Sequence, residues 1–421
     1  MADMGALDWA QLLENQWNPN RELGHKQKTA HPMNRRQLLA TSTSALLGTV
    51  ATAAAQPLRV AVIGHTGRGN YGHGLDTLWL ALPGTRIVAV ADPDPAGLAA
   101  AVARLGSPKP FPDYRQMLAD TKPDLVAVSP RHADQHEAMC LAAISAGVRG
   151  IYIEKPFCRT PAEADAIIEA AAKANTKIAI AHRNRYDPTF QTAKRLMEGG
   201  ELGTILEYRG RGKEDARGGA LDFWVLGSHI CNLATGLGGD PVACSAMLYQ
   251  DGRPCVEADV REGDEGLGAM AGNGLHARFE LAGGLPLFFD SVQNQGTKEA
   301  GFGLQVIGTK GILDFRIDRQ PLVHFRAGNP FQPGATAQPW QPVSSAGIGQ
   351  PEPIKDLAKR LGSHEIAAND LIAAIEEDRA PLCDDRQGRV TVEMACAIFA
   401  SHRKNGQRIA WPLEDRSNPL R

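Results

Sequence analysis

The sequence predicts an α/β fold in two parts, an N-terminal doubly wound parallel sheet over residues 58–181 and a C-terminal α+β domain with a mostly antiparallel sheet over residues 182–421. Three observations carry the prediction. A continuous β-favouring run, Leu58–Ile63, ends in a glycine-rich turn. Strand-like and helix-like segments then alternate to residue 181, which implies right-handed crossovers and parallel pairing. Beyond residue 204, strands of mixed alternation dominate.

Length and composition bound the rest. A chain of 421 residues can bury one large core or two medium ones. Its 45 Lys and Arg against 47 Asp and Glu give a formal charge of -2, with no long basic run. That offers no footprint for a nucleic-acid backbone or an anionic membrane surface. The seven cysteines are odd in number and lack CxxC spacing, so neither a disulfide framework nor a zinc site is indicated, and no metal is expected. They read as small buried apolar residues.

Residues 1–55 read as a delivery segment. A polar, aperiodic stretch precedes Met33, a candidate start. The run Asn34-Arg35-Arg36-Gln37-Leu38-Leu39, a mild apolar stretch and Ala53-Ala54-Ala55 then resemble a twin-arginine export signal with its cleavage site. The expected location is periplasmic, or cytoplasmic if the arginine pair is fortuitous. No downstream apolar run is long enough to span a membrane.

The elements follow in order. After Leu58–Ile63 come Gly64-His65-Thr66-Gly67-Arg68-Gly69, then an amphipathic stretch through Leu75, Leu78 and Leu80. Glycines at such a turn let backbone N–H groups approach a pyrophosphate at a helix N-terminus. Gly64 and Gly69 occupy the outer positions of a G-x-G-x-x-G pattern, and Thr66 stands at the middle one beside Gly67. The next strand closes at Asp92, about 20 residues on, where an acid can accept from a ribose diol and repel a 2'-phosphate, favouring NAD over NADP. Asp92-Pro93-Asp94-Pro95 equally reads as a turn. Asp113 caps a helix over 114–119. Strand 124–129, helix 132–146 and strand Gly150–Ile153 follow, then a helix opened by the capping box Thr160-Pro161-Ala162-Glu163 and strand 177–181. Ligands of such sheets bind beyond the carboxyl ends of the strands, which places Pro130, Arg131, Glu154 and Lys155 at the site.

Glu154-Lys155-Pro156 after its strand, together with the glycine turn and Asp92, resembles the Gfo/Idh/MocA family of glucose-fructose oxidoreductase and inositol dehydrogenase. Ser129-Pro130 with His136, Asn184-Arg185-Tyr186-Asp187-Pro188, Gly227-Ser228-His229, Gly308-Thr309-Lys310-Gly311, Ala380-Pro381 and Trp411-Pro412-Leu413 extend the likeness from about residue 58 to the C-terminus. The resemblance implies a Rossmann domain that binds NAD through Gly64, Thr66, Gly67, Arg68, Gly69, Asp92, Pro130, Arg131, Glu154 and Lys155. It also implies catalysis by Lys155 with His229 as acid–base partner. Independently of the family, removing hydride from a secondary alcohol is helped when a histidine takes the hydroxyl proton and an ammonium stabilises the alkoxide. Relatives carry Asp four residues before the histidine and three after it, where this chain has Val225 and Asn232. Asp222, Glu214 or Asp215 are candidate replacements, the last two from the dense charge run 211–219. His182, Arg183 and Arg185 follow the last strand of the first part and could line the cleft or pair at the domain junction.

In the second part, strands 287–292, 304–307 and 312–315 and a helix over 224–237 are expected. The open sheet face is expected to be apolar and to meet a second copy of the chain. The stretch 320–353 around Trp340 reads as a long loop. Helices over 364–377 and 386–401 finish the chain.

Three functions fit. The first is NAD-dependent oxidation of a sugar, polyol or related small polar substrate. The second is glycoside hydrolysis or elimination by transient oxidation with a retained cofactor, which an exported protein could sustain without an external pool. The third is a non-catalytic sugar-binding protein on the same scaffold.

Overall fold

A computed structural model describes residues 56–296, 302–332, 336 and 338–421. The leader, with Arg35-Arg36 and Ala53-Ala54-Ala55, lies outside the described residues. Strands β1 (Leu58–Ile63), β2 (Thr85–Ala91), β3 (Lys109–Phe111), β4 (Leu125–Val128), β5 (Gly150–Ile153) and β6 (Lys177–Ile180) form one sheet in the order β3-β2-β1-β4-β5-β6. All its pairs are parallel. The order reverses between β1 and β4, which opens a crevice at the strands' carboxyl ends. Every residue of β4 and β5 is buried, as a sheet covered on both faces requires.

Side-chain caps fix the crossover helices. Asp94 accepts from Gly97 N at 2.6 Å and opens α1 (Pro95–Arg104) with Pro95 in its first turn, so the acid–proline pair read as a turn is a helix start. Asp113 caps α2 (Tyr114–Thr121), α3 spans His136–Ser145, and Thr160 accepts from Glu163 N to open α4 (Pro161–Ala174).

One expected helix is missing. After the glycine turn the chain makes consecutive turns and only a 3-10 helix, Leu78–Ala81. Asn70, Gly72 and Gly74 all take positive φ, a conformation no α-helix contains, and they outweigh the spacing of Leu75, Leu78 and Leu80. The turn therefore lacks the helix dipole expected to face a pyrophosphate.

The second sheet is large and mixed. In order it runs Gly347–Ile348, Gln341–Ser344, Val323–Ala327, Gly311–Ile317, Phe302–Gly308, Ile205–Arg211, Pro286–Val292, Gly274–Leu281, Pro241–Gln250 and Ile409–Ala410, with Arg253–Pro254 beside Pro241–Gln250. Ile205–Arg211 and Pro286–Val292 pair in parallel, and the other pairs are antiparallel. Stretch 320–353 thus contributes three strands. The guanidinium groups of Arg316 and Arg326 lie over the Trp340 ring, at 5.4 and 4.7 Å from its centroid. Helices α5 (Pro188–Glu198), Ser228–Gly238 and Asp385–Arg403 cover one face, over Tyr208, Phe279, Phe289, Leu304 and Phe315.

The opposite face is charged rather than apolar. Period-two alternation turns Arg209, Arg211, His276, Arg278, Asp290, Asp314 and Arg316 outward. Arg278–Glu280 at 3.0 Å, Arg316–Asp314 at 2.8 Å and His276–Asp290 at 2.6 Å pair across it. Among the described residues, charged pairs occupy much of the face that was expected to be apolar. All seven cysteines are buried and unpaired. Among the described residues no helix is long and apolar enough to cross a membrane.

Candidate active site

The glycine turn is fastened from below. Asp92, fully buried at the end of β2, accepts from Thr66 N at 3.1 Å, Thr66 Oγ1 at 2.8 Å and Asp94 N at 3.0 Å. Both its oxygens accept from the loop, so Asp92 fastens the turn from the wall of the adjoining cavity. Arg68 pairs with Asp134 at 2.5 Å, and Gly67 faces open space. Gly69 packs so closely on the Arg131 and His132 backbone that a Cβ would lie 2.3 Å from Arg131 N. Beside the loop a cavity of about 260 Å³ opens past the ends of β1 and β2, lined by Gly64, His65, Asp92, Tyr114 and Met139.

This arrangement fits the adenosine side of a dinucleotide: a cleft at the strand ends beside a glycine turn packed closely against the segment after β4, where the buried Ser129 hydroxyl is left without a protein partner. A pyrophosphate here would meet loop N–H groups, not a helix terminus.

The segments after β4 and β5 are tied by one histidine. His136, fully buried, places Nε2 at 2.8 Å from Pro130 O and Nδ1 at 2.9 Å from Pro156 O. Glu154 accepts from His73 N at 3.1 Å and Lys155 N at 2.8 Å, and its Oε1 lies 2.5 Å from His73 Nδ1. Burial works against its charge, yet the His73 hydrogen bond and the Lys155 ammonium outweigh that and hold the carboxyl down at about 2. Glu154 is therefore a buried anchor for both loops.

Lys155 and His229 meet in a second cavity, of about 320 Å³, with His73, Arg183, Lys213, Arg217, Asp318 and His364 in its wall. Lys155 donates from Nζ to Val225 O at 2.8 Å. That carbonyl belongs to a π-helical turn, Phe223–Gly227, which leads into the helix Ser228–Gly238 carrying His229. π-turns leave carbonyls off the regular ladder and recur at functional sites. A backbone oxygen thus meets the lysine at the position where the family resemblance leads one to expect an aspartate. Burial lowers the Lys155 ammonium from its ordinary range, Glu154 partly opposing. Burial, then His182 and Lys155, push the half-buried His229 well below the usual imidazole value.

Other expected residues lie elsewhere. Asp222 is fully buried and accepts from Ser291 Oγ at 2.6 Å and Glu214 N at 3.0 Å, so it holds loop 211–219 and does not line the cavity. Glu214 accepts from Val292 N and Arg211, and Asp215 binds Arg217. Arg185 donates to Asn232 O at 3.1 Å and lies over Phe190, a packing role at the junction. His182 is the residue that reaches His229, Nδ1 to Nδ1 at 3.3 Å. His73 and His364 were not foreseen. His73 hides among turn glycines, and His364 arrives from a segment about 200 residues beyond Lys155, where only the fold brings it near.

Residues 58–182 match the family model described as an oxidoreductase family with an NAD-binding Rossmann fold, GFO_IDH_MocA. A levoglucosan dehydrogenase of Pseudarthrobacter phenanthrenivorans is 27% identical over 269 residues, 57% of this chain and 67% of that one. The scyllo-inositol 2-dehydrogenase (NAD(+)) of Bacillus subtilis is 33% identical over 155 residues, 36% of this chain and 44% of that one. An oxidoreductase of Schizosaccharomyces pombe is 31% identical over 150 residues, 33% of this chain; the match spans 40% of that protein's length. A solved levoglucosan dehydrogenase, in complex with NADH and levoglucosan, superposes with a TM-score of 0.69 at 23% identity, over 85% of this chain and 100% of the other. Over residues 58–182, then, the chain matches the NAD-binding Rossmann model of that oxidoreductase family.

Proposed function

We propose that this protein is an NAD-dependent oxidoreductase acting on a secondary hydroxyl of a sugar, polyol or sugar derivative, with Lys155 and His229 assisting proton transfer. The observation that carries the reading is the shared cavity: Lys155 at the end of β5 and His229 on the facing helix open into one polar space at the sheet's carboxyl edge. The names of the levoglucosan and inositol dehydrogenases support the same substrate class.

The glycine turn, Pro130, Arg131 and Lys155 would hold NAD, whose nicotinamide supplies the hydride acceptor when bound. The chain's own residues do the rest. Lys155 keeps one N–H on Val225 O and has further N–H groups to donate to the reacting oxygen, stabilising alkoxide character. His229, held neutral by its surroundings, accepts the hydroxyl proton. Arg183 and Lys213, which share Asp318 at 2.6 and 3.7 Å, can bind the remaining oxygens of a hydroxyl-rich ligand.

Incubation with NAD+ and a panel of anhydrosugars, inositols and aldoses, followed at 340 nm, tests the reading. Substrate-dependent NADH supports it. Glycoside cleavage without net NADH selects the redox-neutral alternative with a retained cofactor, which export through the Arg35-Arg36 motif would favour. Absence of any nicotinamide binding overturns both.

A further inference from the structure

An imidazole that presents one nitrogen to a substrate is oriented, and its tautomer set, by the hydrogen bond at the other nitrogen. His229 is the second residue of Ser228–Gly238, so its backbone is fixed by the helix. Among the described residues the single hydrogen bond to its ring comes from His182, which follows β6. The carboxylates of Glu214, Asp215 and Asp222 are engaged elsewhere. The two rings lie edge to face, with centroids 5.0 Å apart and planes at 89°.

We propose that His182 is the positioning residue of His229: through the Nδ1···Nδ1 hydrogen bond it decides which ring nitrogen of His229 carries the proton. This inference rests on the acid–base role proposed above for His229.

Two neutral rings can share that bond in two ways. With the proton on His229 Nδ1, donated to His182 Nδ1, His229 Nε2 is a free base and His182 carries its own proton on Nε2. With the proton on His182 Nδ1, donated to His229 Nδ1, His229 carries its own proton on Nε2 and offers the hydroxyl no base. His182 Nε2 is buried without a protein partner, so the first arrangement leaves an N–H unsatisfied and the second a lone pair. Only the first arrangement gives the reaction its base. In oxidation the hydroxyl proton passes to His229 Nε2 as the C–H hydride leaves, and His229 becomes an imidazolium that still donates to His182. Reduction returns that proton.

The surroundings oppose a standing positive charge on either ring. Lys155 after β5, Arg183 after β6 and His73 from the glycine turn face His229, with Lys213, Arg217, His364 and the single carboxylate Asp318 in the same wall. Burial first, then Lys155, holds His182 down at about 3. A carboxylate in place of His182 would do the reverse and hold His229 charged, removing the base near neutrality.

The test uses the full chain with 15N-labelled histidine and three variants, His182→Asp, His182→Asn and His182→Phe. Nitrogen shifts of His229 are followed against pH in each, alongside the pH profile of kcat/KM. Wild-type His229 should stay neutral to well below 6.5. His182→Asp should raise its titration, and the acid limb of the profile, by roughly one pH unit or more. His182→Phe should lower kcat roughly tenfold or more with little change in KM, and His182→Asn, which can still accept, should recover part of the loss. Unchanged His229 shifts in both His182→Asp and His182→Phe would overturn the proposal. If the chain oxidises no sugar, the role given to His229 fails, while the nitrogen shifts still decide whether His182 sets its proton.

Discussion

Replacing His364 with Asn should make the fold less sensitive to acid by an amount that follows from the structure. His364 is buried, precedes the helix Glu365–Glu376 with φ 61°, and places Nδ1 2.7 Å from Tyr152 Oη. Burial holds it down at about 4, against an ordinary 6.5, Glu154 partly opposing. The unfolded chain therefore binds a proton at this residue below about 6.5, and the folded chain only below about 4. Its contribution to stability is fully present above 6.5 and is lost as pH falls through that window. Between pH 8 and pH 5 the loss is about 2 kcal/mol, one and a half pH units of proton binding by the unfolded state alone. Asn tolerates the positive φ and can accept from Tyr152 Oη, but it does not titrate. Urea unfolding followed by circular dichroism at both pH values gives the stability lost by each protein. The wild type should lose about 2 kcal/mol more than His364→Asn, whatever the variant costs at pH 8. Equal losses would refute the claim that His364 is folded in its neutral form.

Further predictions concern the site and its supports. Lys155→Met should lower kcat by roughly a hundredfold or more while NADH still binds by fluorescence titration, and near-normal turnover would remove Lys155 from the mechanism. His136→Leu removes the ring N–H donor that sits between the buried Pro130 and Pro156 carbonyls, so it should cost about 2 kcal/mol in urea unfolding. Arg416 binds Asp165 of α4 at 2.8 Å and the fully buried Glu393, clamping the C-terminal tail to both sheets' helices. Arg416→Ala should destabilise by about 3 kcal/mol, and Arg416→Ala combined with Glu393→Gln by clearly less.

Local chemistry made much of the fold legible. Asp113, Thr160 and Pro161 announce helix starts because caps act within one turn, and the apolar runs at β1, β4 and β5 need no partner to be recognised as buried strands. Lys155 and His229, which line one cavity, each stand in a short motif and so are legible as neighbours of the cleft. The misreadings have physical causes. Asn70, Gly72 and Gly74 force positive φ through a stretch whose leucine spacing suits a helix. Asp92 stands where an acid would meet a ribose, and its second task, accepting from the hydroxyl of Thr66 at the motif's middle position, has no signal in the spacing. Charged side chains on the second sheet alternate at period two with the apolar ones, and the outward set was not separated from the inward set. Carboxylates near in sequence suggest themselves as the partner of His229, whereas His182 reaches it from 47 residues away.

The central claim is that a nicotinamide bound at the first sheet and a hydroxyl held by Lys155 and His229 react in one cavity. Rapid mixing of the NAD+-loaded protein with the sugar and polyol panel, read at 340 nm within a single turnover, tests it directly. The account predicts a rise for at least one compound, lasting in a dehydrogenase and transient in a redox-neutral enzyme, and absent in Lys155→Met. A protein that binds NAD+ yet shows no rise with any compound, or a rise undiminished in Lys155→Met, would contradict it.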